Sequence, residues 1–155
     1  MPSWFLLLII EVLCSPSLTS SWDFDNFPKG CVGALIGCDW LARYGMAPAA
    51  IRSPMAGQIF LHHPKCKKLS YSCELEAYAT GAAVIDDGKT FINETFPLRN
   101  YYYLEYEGKD PYDLFEEAAR KWADDFKKMR RKDIFGCSGY LNGTDNKVVC
   151  IFGKA

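Results

Sequence analysis

With 155 residues, 49% hydrophobic and 15% aromatic, the chain is of single-domain size and has enough apolar side chain for a real core. Its formal net charge of -1 shows no excess of either sign, so composition points neither to nucleic acid nor to an anionic membrane as partner.

The chain opens on the apolar run Trp4 to Ile10, followed by Glu11, Val12 and Leu13 and then the small-residue stretch Ser15 to Ser21. That run is too short to span a bilayer and ends in small residues, the shape of a secretory signal. Residues 1–20 are therefore read as a signal peptide and residues 21–155 as one domain; a short N-terminal core helix is the alternative. No later segment is apolar enough to span a membrane. Of seven cysteines, loss of Cys14 with the signal leaves Cys31, Cys38, Cys66, Cys73, Cys137 and Cys150. An even set in a secreted chain reads as disulfides, and the lack of any C-x-x-C pair among them argues against zinc. The sequons Asn93-Glu94-Thr95 and Asn142-Gly143-Thr144 add two glycosylation candidates, Asn93 and Asn142.

From Cys31 to about Met46, apolar residues at Val32, Leu35, Ile36, Trp40, Leu41 and Tyr44 recur at helical spacing. Cys31 and Cys38 would stand about 10 Å apart on that helix, so each needs a partner elsewhere. Ala47 to Lys68 contains Pro48, Pro54, Gly57 and Pro64 and reads as a long connection with one helical turn. Ser72 caps a second helix running to about Val84, with Glu74 and Glu76 in its first turn and Leu75, Tyr78, Ala79 and Ala82 as the buried stripe. Asp86 to Lys89 is a turn, Phe91 to Pro97 is irregular, and Arg99 to Glu107 is a tyrosine-rich strand. Asp110-Pro111 opens the strongest amphipathic helix, whose apolar positions Leu114, Phe115, Ala118, Ala119, Trp122, Phe126 and Met129 recur every three or four residues until about Lys132. A hairpin closes the chain, Phe135 to Phe152 around Asn142-Gly143, with Cys137 and Cys150 on facing strands and able to bridge. Among fifteen possible connectivities, this pairing leaves Cys31 and Cys38 to reach Cys66 and Cys73.

Ser72-Cys73-Glu74-Leu75-Glu76-Ala77, preceded by Tyr71, resembles the helix-opening "CELE..A" stretch of the CAP superfamily of cysteine-rich secretory, antigen 5 and pathogenesis-related proteins. Phe135-Gly136-Cys137 with Val148-Val149-Cys150-Ile151-Phe152 is similar to that family's closing hairpin, and Ala118, Ala119 and Trp122 fall where it has an "A…W" helix end. The flavour is that of shortened nematode relatives of the Ancylostoma-secreted or activation-associated type. The resemblance implies a reduced α-β-α sandwich with a small antiparallel sheet, stabilised by disulfides. It also implies a cleft without its usual metal. The "HN..R" place reads Cys38-Asp39-Trp40-Leu41-Ala42-Arg43, Ile92-Asn93-Glu94 only echoes "GEN", and the "GH.TQ" segment is missing, so both family histidines are absent.

Other candidates weigh less. His62 and His63, the only histidines, lack a third ligand at useful spacing. Asp86-Asp87, Glu116-Glu117 and Asp124-Asp125 sit beside no histidine or nucleophile and read as solvated charge. Lys127, Lys128, Arg130, Arg131 and Lys132 suit a helix C-terminus more readily than a patch for heparin-like glycans or phospholipid headgroups. Tyr101, Tyr102 and Tyr103 are either a recognition surface or half-buried strand residues. The expected function is therefore extracellular binding without catalysis or cofactor. The resemblance implies a host protein partner and modulation of host responses; the alternative is a carrier of a sterol or fatty acid.

Overall fold

A computed structural model of the chain describes Cys38 and residues 49–95, 100–110, 113–129 and 131–155. The expected signal peptide, Cys31 and the remainder of the expected first helix lie outside the described residues. In chain order the elements are α1 (Ala49–His62), a 3-10 turn (Cys66–Lys68), β1 (Ser70–Tyr71), α2 (Cys73–Ala83), α3 (Gly88–Thr95), β2 (Tyr102–Gly108), α4 (Leu114–Lys121), α5 (Ala123–Lys128), β3 (Ile134–Tyr140) and β4 (Asn146–Gly153).

The four strands form one sheet in the order β1-β3-β4-β2. β3, β4 and β2 are antiparallel, while the two residues of β1 run parallel to the start of β3. Strand side chains alternate between faces, and β4 uses both. Val148, Cys150 and Phe152 join Met55, Phe60, Leu114 and Phe126 from α1, α4 and α5, and Trp122 between α4 and α5, on one side. Val149 and Ile151 join Leu75, Ala79, Ala82 and Ile92 from α2 and α3 on the other. Helices thus cover both faces of a central sheet, and the fold is an α-β-α sandwich. The Phe135 and Phe152 rings, paired in register across β3 and β4, stack with centroids 5.7 Å apart at the middle of the larger core.

Several elements depart from the sequence reading. The stretch expected as a connection is the 14-residue helix α1, with Pro54 inside it. Arg52, Met55, Ala56, Ile59, Phe60 and His63 are all buried. Their spacing is that of a helix face, and its burial outweighs the roughly 3 kcal/mol that an interior proline costs. The segment expected to be irregular before Pro97 is α3. Asp87 opens it, accepting from the Thr90 amide through Oδ1 at 3.0 Å and from the Phe91 amide through its carbonyl oxygen. The single helix expected from Asp110 to Lys132 is two, separated at the buried Trp122, and its described start is Leu114. Phe126 N–H still donates to the Trp122 carbonyl oxygen, so the second piece continues from the first.

α2 keeps its expected cap, with Ser72 accepting from the Leu75 amide at 3.3 Å. Its first turn lies directly against β3, because a Cβ at Gly136 would overlap the Glu76 amide nitrogen and the Leu75 carbonyl carbon. Five loop residues, 141–145, join β3 to β4 rather than a two-residue turn, and Gly143 takes the positive φ of 90°.

Candidate functional site

Cys137 and Cys150 face each other in register on β3 and β4 and are disulfide-bonded, with Cα atoms 4.1 Å apart. Cys38 is bonded to Cys73 at the first residue of α2, and Cys66 is also disulfide-bonded.

Beside the first of these bridges lies a charged group that the sequence reading placed only in the helix dipole. Glu76 is fully buried, and Arg52 of α1 grips its carboxylate with two bonds, Nε to Oε2 at 2.6 Å and a terminal nitrogen to Oε1 at 2.9 Å. The Tyr71 hydroxyl donates to Oε2 at 2.7 Å and also contacts the Cys137 carbonyl oxygen at 3.1 Å. Burial, and then the Glu76 charge, push the Tyr71 phenol well above its ordinary range, so it remains a donor. This network joins α1, α2, β1 and β3. Both carboxylate oxygens of Glu76 are occupied by these partners, and Arg52 and Glu76 are buried; the network holds the sandwich in register.

Of the two histidines, His63 is built into the core. His63 is buried, its Nδ1 accepts from the Lys65 amide at 3.2 Å, and its Nε2 has no hydrogen-bond partner. The ring packs against both Phe126 and Phe152, with centroids 5.5 and 6.3 Å away, and burial followed by the Lys65 charge lowers its pKa. Among the described residues no three His, Cys, Asp or Glu side chains are placed to hold a metal ion.

The acidic pairs are spread over surface roles. Glu116 bonds Arg120, Asp124 bonds Lys127 at 2.7 Å, and Asp125 bonds Lys128 at 2.9 Å, all within one turn of helix. The tyrosines of β2 divide by face: Tyr102 packs on the larger core, Tyr101 and Tyr103 on the smaller. The Tyr103 hydroxyl bonds Glu105, and burial with that carboxylate raises its pKa strongly. Asn93 lies on α3, where its Oδ1 accepts from the Tyr101 hydroxyl. Asn142 lies in the β3–β4 loop, where its Oδ1 accepts from the amides of Thr144 at 3.1 Å and Asp145 at 2.7 Å and from the Thr144 hydroxyl at 3.4 Å.

An open cleft of about 730 Å³ occupies the end of the sheet where β3 turns back into β4 and β2 finishes. Its walls are the segment after α2 (Val84, Ile85, Asp86), the end of β2 (Glu107, Gly108, Lys109) and the hairpin from Tyr140 to Lys147. Two buried polar side chains hold these walls together. Asn146 donates to the Lys109 carbonyl oxygen at 2.9 Å and accepts from the Gly143 amide. Lys147 donates to the Ile85 carbonyl oxygen at 3.1 Å and lies 3.4 and 3.7 Å from the carboxylates of Glu105 and Glu107. Four of the five large apolar side chains that stay exposed among the described residues line this cleft or flank it: Val84 (63%), Ile85 (36%), Tyr140 (43%) and Leu141 (37%). Between them stand the exposed carboxylates of Asp86, Glu107 and Asp145, against one exposed ammonium, Lys109. Sequence periodicity did not point to this site, because its walls come from three segments far apart in the chain.

The family model described as Ancylostoma-associated secreted protein related matches residues 38–152. Among solved structures, the Ancylostoma-secreted protein Ac-ASP-7 is similar at 17% identity and a TM-score of 0.48, the match covering 69% of this chain and 72% of that one. A structure titled manganese-bound Ac-ASP-7 is similar at 20% identity and a TM-score of 0.45, with the same coverage. No curated protein sequence matches the chain.

Proposed function

This chain belongs to the Ancylostoma-associated secreted protein related family of the CAP superfamily, and from that premise we propose that it is a secreted, non-enzymatic binding protein that meets an extracellular protein partner at the cleft. The observation that carries the reading is the gathering at one end of the sheet of Val84, Ile85, Tyr140 and Leu141, four of the five large apolar side chains exposed among the described residues. Exposed apolar side chains grouped around a polar cleft are the usual mark of an interaction site. The surrounding carboxylates select a partner segment that carries lysine or arginine beside an aliphatic side chain, and the Tyr140 ring can also receive a cation on its face. In a parasite-secreted protein such a partner would belong to the host.

Secretion is supported by the family and by the oxidised Cys38, Cys66, Cys73, Cys137 and Cys150; residues 1–20 would be the removed signal. Among the described residues no helix is long and apolar enough to cross a membrane. Both sequons are then acceptors for N-linked glycan. A glycan on Asn142 would stand on the cleft wall, with the loop bonds through Oδ1 left intact. The absence of catalysis is supported by the surface ion pairs that occupy the acidic side chains and by the apolar packing of His63. A sterol carrier would need an enclosed apolar cavity, and this cleft is open and lined by charge.

Selection of displayed peptides on the secreted protein tests the reading. Enriched peptides should pair a basic with an aliphatic residue and should lose binding to the Val84→Asp/Tyr140→Ala variant. Peptides that bind that variant equally well would place the contact elsewhere, and a lipid found at fixed stoichiometry by native mass spectrometry would favour the carrier.

A further inference from the structure

The opposite end of the sheet gathers cations that the sequence scatters. Two backbone bonds and one to a side chain tie its segments together. Ser70 N–H donates to the Asp133 carbonyl oxygen at 2.7 Å, Asp133 N–H to the Gly153 carbonyl oxygen at 3.1 Å, and Ala155 N–H to Asp133 Oδ1 at 2.8 Å. Lys68 precedes the first of these segments by two residues, Lys132 immediately precedes Asp133, and Lys154 lies between Gly153 and Ala155. Lys132 N–H closes a turn onto the Met129 carbonyl oxygen, and that turn carries Arg131. Neighbouring strands stand about 4.8 Å apart, so these four cations are within reach of one short linear polyanion.

Lys68, Arg131 and Lys154 are exposed and Lys132 half-exposed, and none of the four has an ion pair among the described residues. Lys127 and Lys128, at the end of α5, precede Arg131 by four and three residues, and Lys65 precedes Lys68 by three. The acids that oppose them are Asp124 and Asp125, each already paired with a lysine at an exposed site where such pairs contribute little, and Asp133, whose Oδ1 takes a backbone amide. Nearby apolar side chains, Leu69, Phe126 and Met129, are buried. With these three side chains turned in, charge outweighs apolar surface beside the cations, which favours a sulfated sugar over insertion into a lipid surface.

We propose that this end of the sheet binds sulfated glycosaminoglycan through Lys68, Arg131, Lys132 and Lys154, with Lys127 and Lys128 at the border. The site is separate from the cleft, so the two readings stand or fall independently.

The test uses the full, disulfide-bonded secreted chain and a heparin oligosaccharide at about 0.15 M salt. Affinity should fall about tenfold in the Lys68→Gln/Lys154→Gln variant. It should change less than about twofold in the Lys89→Gln/Lys121→Gln variant, which loses the same charge elsewhere, and be retained in Lys68→Arg/Lys154→Arg. Equal losses in the two glutamine variants would reduce the effect to bulk charge and overturn the site. So would the absence of oligosaccharide binding, or tighter binding to phosphatidylserine vesicles than to the oligosaccharide.

Discussion

Where β3 turns back into β4, the surface is apolar side chain set among carboxylates; where β1 and β3 begin and β4 finishes, it is lysine and arginine with the apolar side chains turned in. The same strands supply both ends, a few residues apart. A net charge of -1 conceals this division, because it sums two surfaces of opposite sign. The difference teaches that the field a partner meets is set by which segments the fold brings to each end. Between the ends lies the Arg52–Glu76–Tyr71 network, which fixes α1 and α2 against β1 and β3.

Breaking that centre should erase both ends together and has the largest expected effect. Arg52→Ala leaves the Glu76 carboxylate buried with one hydroxyl donor, and urea unfolding should show a loss of about 3–5 kcal/mol. Arg52→Met combined with Glu76→Leu should recover most of it, since apolar packing replaces a buried pair without an orphaned charge. If Arg52→Ala is neutral, the network is not what holds the helices to the sheet.

The next largest effect falls on one end. Cys137→Ala/Cys150→Ala opens a loop with a sequence separation of 13 and should cost about 3 kcal/mol. Because the bridge closes the β3–β4 hairpin, amide exchange should accelerate first from Tyr140 to Lys147, at the cleft, and least around Ser70 and Asp133. Uniform acceleration would show that the ends do not respond separately.

Acid should act on the other end. His63 is held neutral by burial, so its folded pKa lies below the unfolded value near 6.5. The unfolded chain then takes up the proton first. Stability is fully present above pH 6.5 and declines as pH falls from there through the lower folded pKa. The His63→Leu variant should flatten this part of the stability profile, measured by unfolding between pH 7.5 and pH 5. An unchanged profile would assign the acid sensitivity elsewhere.

The smallest change sharpens the contrast without touching the core. Asp124→Asn/Asp125→Asn releases Lys127 and Lys128 from their exposed partners. The melting temperature should hold, while elution from heparin shifts to higher salt. Unaltered elution would exclude the border lysines from the glycan site.

Sequence by itself determined the features written in local spacing and local chemistry. Ser72 opening α2, the apolar stripe from Leu114 to Phe126 and the facing positions of Cys137 and Cys150 all depend on residues close in the chain, where propensity, capping and strand alternation act directly. The "CELE..A" and closing-hairpin motifs carried the family for the same reason. Only the tertiary structure decided the rest. α1 forms through Pro54 because its face from Arg52 to His63 is buried against β3 and the later helices, a gain that no local rule contains. α3 replaced an irregular segment because Asp87 caps it and Gly81 admits its Phe91 ring. Glu76, read as a dipole charge, became the buried centre once Arg52 arrived from 24 residues away. The cleft and the cationic end depend on segments that meet only when the sheet is assembled, since hydrogen bonds between distant strands, rather than neighbours in the chain, set which side chains share a surface.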